Sequence, residues 1–285
     1  MRSYVVSALA FGAAAAAIHS PAAVRKVDHI VIGTADPRAL FSLLADTLRL
    51  PVAWPLASFG SFQSGGVAVG NLNIEVGRAR ARGVDSAQAA RFNAVVFEPA
   101  PLPEALAELD VRGVAHEKPL DYGMEPGTPP DSPAWTTVKL TTLSDRGLDV
   151  VLCEYHRPDV RALGRALADS LRARGGGPLG ALMVRTVIIG TGGDSSVHSA
   201  WRSLLSPMER RMTWSLDPGP ALELDAGAPR GHVRIVIQVR SLASAADFLR
   251  SRAMLGESSP HELRIARDRI GGLDIRLVDR SDASF

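Results

Sequence analysis

Glu154 and His156 stand two residues apart in the segment LDVVLCEYH, so on a strand both side chains project to one face. There an imidazole can shuttle a proton or complete a metal's ligand set. Cys153, the chain's single cysteine, lies in the apolar run 150–155, and a buried core place is the expectation for it. One cysteine forms neither an intrachain disulfide nor a Cys-rich metal cluster. A nucleophilic Cys153 would need an imidazole beside it, and His156 falls on the opposite face of the strand. Lys139 shares a face with Thr137 and Thr141, where it either meets an anionic group or runs exposed along the strand. His116 stands in the segment 114–117, read as an early strand. No Ser–His–Asp order or dinucleotide fingerprint stands out, and Ser64-Gly65-Gly66 lacks the Lys–Ser/Thr of a phosphate loop, so no nucleotide cofactor is expected.

These residues are carried on a pattern that repeats. Residues 27–34 (VDHIVIGT) read as a β-branched strand. Asp36-Pro37 then offers an N-cap and a first-turn proline, and Leu40, Leu44 and Leu48 recur at i+4 on one helical stripe. Pro51 ends that helix. Trp54, residues 62–69 and residues 72–76 follow as three short strands, the last alternating Leu72, Ile74 and Val76 with Asn73 and Glu75. The order is β-α-β-β-β. It recurs from residues 92–97, from 184–190 and from 233–239, the last copy closing on a strand at 273–278. A polar helix over 158–174 ends in Gly175-Gly176-Gly177-Pro178, a helix stop and natural boundary. The expected organisation is a leader (1–26), a first domain (27–157), a helical linker (158–178) and a second domain (179–280).

Four βαβββ units in two pairs, carried by VDHIVIGTADPRAL, SGGVAVGNLNIEV, LDVVLCEY and GGLDIRLVD, resemble the vicinal-oxygen-chelate superfamily of glyoxalase-like, bleomycin-resistance and dioxygenase proteins. The resemblance implies an α+β fold in which paired modules join curved sheets into a cup with helices outside. It also implies a ligand set on the first and last strands of each module: His29, Glu75, Asn93 and Glu154 in the first domain. Imidazole and carboxylate suit divalent ions, and a metal so held polarises a carbonyl or enediolate. On this reading His29, Glu75 and Glu154 hold a divalent metal ion, and Glu75 and His156 are the catalytic candidates. Asn93, Lys139 and Tyr122 contact substrate, Tyr122 and Met124 from the Pro/Gly-rich loop 121–133. Asn93 departs from the histidine usual at its place and is a poor ligand for zinc, iron or nickel. The matching second-domain positions, Thr186, Glu223, Arg234 and Arg276, do not make a cation site. Arg234 and Arg276 either clamp an anion or pair with Glu223.

The implied function is a divalent-metal-dependent lyase, isomerase or dioxygenase acting on a small oxygenated molecule. Its rivals are a metal-free protein that sequesters a small molecule and a catalytically silent scaffold. The bulk properties fit both. The 285 residues, 46% hydrophobic and 22% charged, suffice for two domain cores. A net charge of +2 and the lack of a basic run with aromatics argue against nucleic acid. The first 27 residues hold an Ala-rich apolar stretch after Arg2, with Ala15 and Ala17 offering a cleavage site. This pattern is expected of an export signal or organelle transit peptide, with a cytoplasmic chain as the alternative. No stretch is long enough for an integral membrane segment in the mature chain.

Overall fold

The structure, a computed structural model, describes residues 22–59, 62–78, 90–123, 133–145, 147–157, 159–205, 212–216 and 218–279. The expected leader falls largely on residues 1–21, outside the described residues, as does Met124. The first strand, β1 (Val24–Thr34), begins inside the segment expected as leader.

The first sheet runs β2-β3-β4-β1-β5-β8-β7-β6. Its strands are β1, β2 (Val52–Phe59), β3 (Phe62–Val69), β4 (Leu72–Arg78), β5 (Ala90–Pro99), β6 (Leu120–Tyr122), β7 (Trp135–Lys139) and β8 (Asp149–Tyr155). Helix α1 (Pro37–Ser42) follows β1, and Asp36 caps it by accepting from the Ala39 N–H at 3.0 Å, as the Asp–Pro pair predicts. A π-helical turn, Leu43–Thr47, continues α1. Helix α2 (Leu102–Val111) follows β5. The second sheet runs β10-β11-β9-β12-β15-β14-β13. It comprises β9 (Ala181–Gly190), β10 (Thr213–Trp214), β11 (Ala221–Asp225), β12 (Val233–Val239), β13 (Leu255–Ser258), β14 (Glu262–Ile265) and β15 (Asp274–Val278). Helix α3 (Asp159–Ala173) joins the sheets; α4 (Ser195–Leu205) follows β9 and α5 (Leu242–Ser251) follows β12. The fold is α+β with two curled sheets, as expected. His116 lies on no strand: residues 114–119 are irregular and the next strand begins at Leu120, a correction to the reading of 114–117.

One apolar core runs through both halves, from Ile30, Ile32 and Leu152 to Val187, Ile235 and Leu277. Trp201 of α4 meets Phe97 of β5 with ring centroids 6.2 Å apart, and Arg112 after α2 donates to the Ser203 carbonyl at 3.0 Å. Among the described residues no helix is long and apolar enough to cross a membrane.

Helices and core occupy one face of the first sheet. Its other, concave face carries a separate small cluster: Ala94, Val96 and Cys153, with Val31, Trp135, Val151 and Tyr155 against them. Two irregularities in the β1–β5 pairing matter here. Val27 and His29 oppose consecutive residues Phe97 and Val96, which leaves Asp28 as an extra residue. Val31 opposes Ala94 while Ile32 opposes Phe92, which leaves Asn93 extra on β5. Such bulges break strict alternation and re-aim the side chains beside them.

Four of the described helix ends are alike. The residue after the C-cap is left-handed in each of four helices: Arg49 (φ 53°), Gly113 (φ 68°), Gly175 (φ 69°) and Ala253 (φ 52°). The next N–H returns to the last turn, as Leu50 to Leu44, Val114 to Leu109 and Met254 to Leu249. Glycine takes this conformation freely, whereas a residue with a Cβ incurs roughly 1 kcal/mol.

Candidate functional site

The concave face of the first sheet carries one hydrogen-bonded chain of polar side chains. His29 lies at its centre, buried at 7% exposure. Its Nδ1 faces Asp28 Oδ2 at 2.9 Å and its Nε2 faces Glu75 Oε2 at 3.3 Å. The bulge at Asp28 allows the first contact, since adjacent residues of a regular strand face opposite ways. The second follows from the parallel register of β1 with β4, which sets Val31 opposite Glu75.

The chain continues at both ends. The Tyr155 hydroxyl donates to Asp28 Oδ2 at 2.9 Å, reaching from β8 across β5 to β1. Lys26 Nζ stands 3.1 Å from Asp28 Oδ1. Beyond Glu75, Ser64 helps keep its carboxylate ionised. Ser64 Oγ accepts the Trp54 indole N–H at 2.8 Å, and the Trp54 ring meets His29 edge-on with centroids 6.4 Å apart.

The charges in this chain hold one another. Burial alone would drive the His29 proton off, but hydrogen bonds and charge from Asp28 and Glu75 outweigh it, and its pKa rises from 6.5 to about 9. Burial would likewise raise Asp28, yet His29, Lys26 and Tyr155 keep its carboxyl well below the usual range. Glu75 is held low against its own burial by His29 and Ser64. Burial and the charge of Asp28 push the Cys153 thiol and the Tyr155 phenol upward. At neutral pH the arrangement is therefore carboxylate–imidazolium–carboxylate, with an un-ionised thiol and phenol beside it. Cys153 is the inert, buried thiol that its sequence context suggests.

Of the expected ligand set, His29 and Glu75 converge; Glu154 and Asn93 do not join them. Glu154 is a correction. Cys153 and Tyr155 take the concave face of β8, so Glu154 takes the helical face, where Oε1 accepts the Leu102 N–H at 2.8 Å. Leu102 opens α2, whose N-cap, Pro101, offers no side-chain acceptor. A carboxylate at a helix N-terminus meets unpaired N–H groups and the positive end of the helix dipole. His156 shares that face, contrary to its expected catalytic place: its Nε2 hydrogen-bonds Thr136 Oγ1 at 2.7 Å, and the Thr136 hydroxyl donates to Asp121 at 2.6 Å. Asn93 packs on Gly33 so closely that a Cβ there would lie 1.9 Å from its Nδ2. Its Oδ1 accepts from Arg91 Nε at 2.7 Å, which engages the oxygen a metal would need.

Lys139 lies on the concave face, opposite Val151, and is ion-paired to Asp149 at 2.6 Å. Tyr122 stacks on Trp135 at the edge of that face, centroids 5.6 Å apart and planes 8° from parallel. Asp28, Tyr155, Ser64 and Trp54 were missed as site residues. The VDH and CEY segments contain the first two, but only the bulge and the register of β8 reveal where they point.

The residues present do not fit a bound metal of the expected kind. Among the described residues no group of three or more His, Cys, Asp or Glu side chains is arranged to hold one. Both ring nitrogens of His29 face carboxylates, the Tyr155 phenol and Cys153 thiol beside it are un-ionised, and Asp149 is held by Lys139.

The concave face of the second sheet is organised around Asp274, 4% exposed. Arg234 Nε lies 3.1 Å, Arg276 Nε 3.1 Å, Arg264 Nε 3.4 Å and His232 Nε2 3.3 Å from its oxygens. Burial would raise Asp274, but hydrogen bonds from His232, Arg276 and Arg234 and the charge of Arg276 hold it far below the carboxylate range. Arg234 and Arg276 thus share Asp274, rather than pairing with Glu223. Glu223 is pushed upward by burial and the like charge of Asp225, against the pull of Arg234.

No family model matches this sequence, and no curated protein does either. Solved structures match it in shape. The 2,3-dioxygenase LapB from Pseudomonas sp. KL28 superposes with a TM-score of 0.60 at 10% identity, over 90% of this chain and 93% of that one. Homoprotocatechuate 2,3-dioxygenase from Arthrobacter globiformis gives 0.56 at 13% identity, over 94% and 84%. A variant of 4-hydroxymandelate synthase from Streptomyces coelicolor gives 0.56 at 12% identity, over 92% and 94%. At such identities the likeness is one of fold.

Proposed function

On the premise that this chain carries the vicinal-oxygen-chelate fold, we propose that the concave face of its first sheet binds a small, partly apolar organic molecule without a metal ion. Val31, Ala94, Val96 and Val151 supply the apolar contact, and Glu75, at 20% exposure the more open end of the buried ion chain, the polar one. One observation carries the reading: each ring nitrogen of His29 already faces a carboxylate, while Glu154 caps a helix on the far face. Asp28 on Nδ1 is the orienting contact that ligand histidines commonly have, but what Nε2 meets is Glu75. A metal-dependent lyase, isomerase or dioxygenase would need Glu154 and Asn93 turned toward His29, at the expense of the α2 cap and the Arg91 contact.

Fold neighbours include dioxygenases and a synthase, so an enzyme belongs in the test. The purified chain, loaded with Zn²⁺, Mn²⁺ or Fe²⁺ and desalted, is expected to retain no stoichiometric metal. A thermal-shift screen of small aromatic and oxygenated compounds is expected to give hits that Glu75→Gln weakens. One metal per chain, lost in His29→Ala, would overturn the proposal and restore the metal-dependent reading.

A further inference from the structure

A cavity lies away from both concave faces, where three helix ends meet at the junction of the two halves. It has a volume of about 640 Å³ and is lined by Asp46, Arg49, Arg174, Pro178, Phe248 and Arg252. That is the size class of sites for small organic ligands. We infer that this cleft binds a small organic anion carrying at least two negative charges, on phosphate-ester or polycarboxylate groups.

Three guanidinium groups line it, and among the described residues none is paired with a carboxylate. Arg174 donates through Nε to the Ser170 carbonyl at 3.3 Å, and Arg252 rests over the Phe248 ring, 6.0 Å from its centroid. These contacts position the groups without neutralising them. Asp46, the acidic residue of the lining, accepts from the Ser42 hydroxyl. The arginines elsewhere on the fold make a contrast: Arg234, Arg264 and Arg276 converge on one aspartate.

Helix C-termini explain part of the arrangement. Arg174 and Arg252 follow the last turns of α3 and α5, where a cation complements the carbonyl end of a helix. They do not explain Arg49. It holds the left-handed position that Gly113 and Gly175 hold after other helices and Ala253 holds after α5, and its Cβ makes that conformation costly. A long cationic side chain there, aimed into a cleft with two other unpaired guanidinium groups, matches the bidentate recognition of phosphate or carboxylate oxygens.

Arg49 also supplies a test in which folding and binding part ways. Isothermal titration of the full chain with pyrophosphate, ATP, AMP and citrate is expected to show binding by ATP and by pyrophosphate or citrate. Which of these two small anions binds tells the phosphate source from the carboxylate one. AMP binds more weakly, and added salt weakens all of them by screening. Arg49→Gly is expected to lower affinity about tenfold or more while the melting temperature holds or rises, because glycine accepts the left-handed turn. A paired Arg174→Gln and Arg252→Gln variant is expected to lose binding as well. Absence of binding by every probe at about 10 mM, or affinity unchanged in both variants, overturns the inference.

Discussion

The two concave faces of this molecule solve the problem of buried charge in opposite ways. On the first, one imidazolium lies between two carboxylates, and the surface around it is valine, alanine and cysteine. On the second, one carboxylate lies among three guanidinium groups and an imidazole. The strand arrangement beneath them is nearly the same: β12 lies between β9 and β15 as β5 lies between β1 and β8. The fold therefore decides which positions face inward, and side-chain identity decides the charge pattern. The first face sets Ala94, Val96 and Cys153, with Val31, Trp135, Val151 and Tyr155 against them, beside its charges; the second sets the smaller cluster of Ile188, Val236 and Val278 beside a net of cross-strand ion pairs. The broader apolar cluster of the first face is the reason the proposed ligand is assigned there.

The comparison can be broken most decisively at Asp28. Asp28→Asn leaves the His29 cation with one partner in a buried setting, and a loss of about 3–5 kcal/mol in denaturant unfolding is expected. Asp274→Asn is expected to cost less, roughly 2–3 kcal/mol, because its arginine partners are about one-fifth exposed and water screens their repulsion. If the order reversed, the second face would be the more tightly coupled of the two.

Alkali separates them further. His29 binds its proton more tightly folded than unfolded, so its contribution is complete below pH 6.5 and disappears as pH rises toward about 9. The melting temperature is expected to fall over that range, by about 2–4 °C for each kcal/mol lost. The fall should vanish in His29→Gln and persist in Asp274→Asn. Acid acts on both faces, since Asp28, Glu75 and Asp274 are all held low and lose that stabilisation on protonation. The smallest effect belongs to Glu154→Ala, about 1 kcal/mol for the lost α2 cap, with ligand binding on the first face unchanged. Abolished binding there would place Glu154 functionally on the concave side after all.

The sequence by itself determined much of the architecture. Its repeats of β-branched strands, i+4 helical stripes and turn residues set the longer strands and the helices, because the periods 2 and 3.6 are local properties of the chain; the short strands β6, β10, β13 and β14 were not legible. By its family resemblance the sequence also singled out His29 and Glu75. It misplaced Glu154 and His156, because β8 is apolar on both faces and period 2 alone does not say which face lines the concavity. It passed over Asp28, because a bulge visible only in the pairing of β1 with β5 turns that residue to the same side as His29. Tertiary structure decided these points for one physical reason: strand register and the capping of α2 are settled by partners distant in sequence, and Leu102, which fixes Glu154, lies 52 residues away.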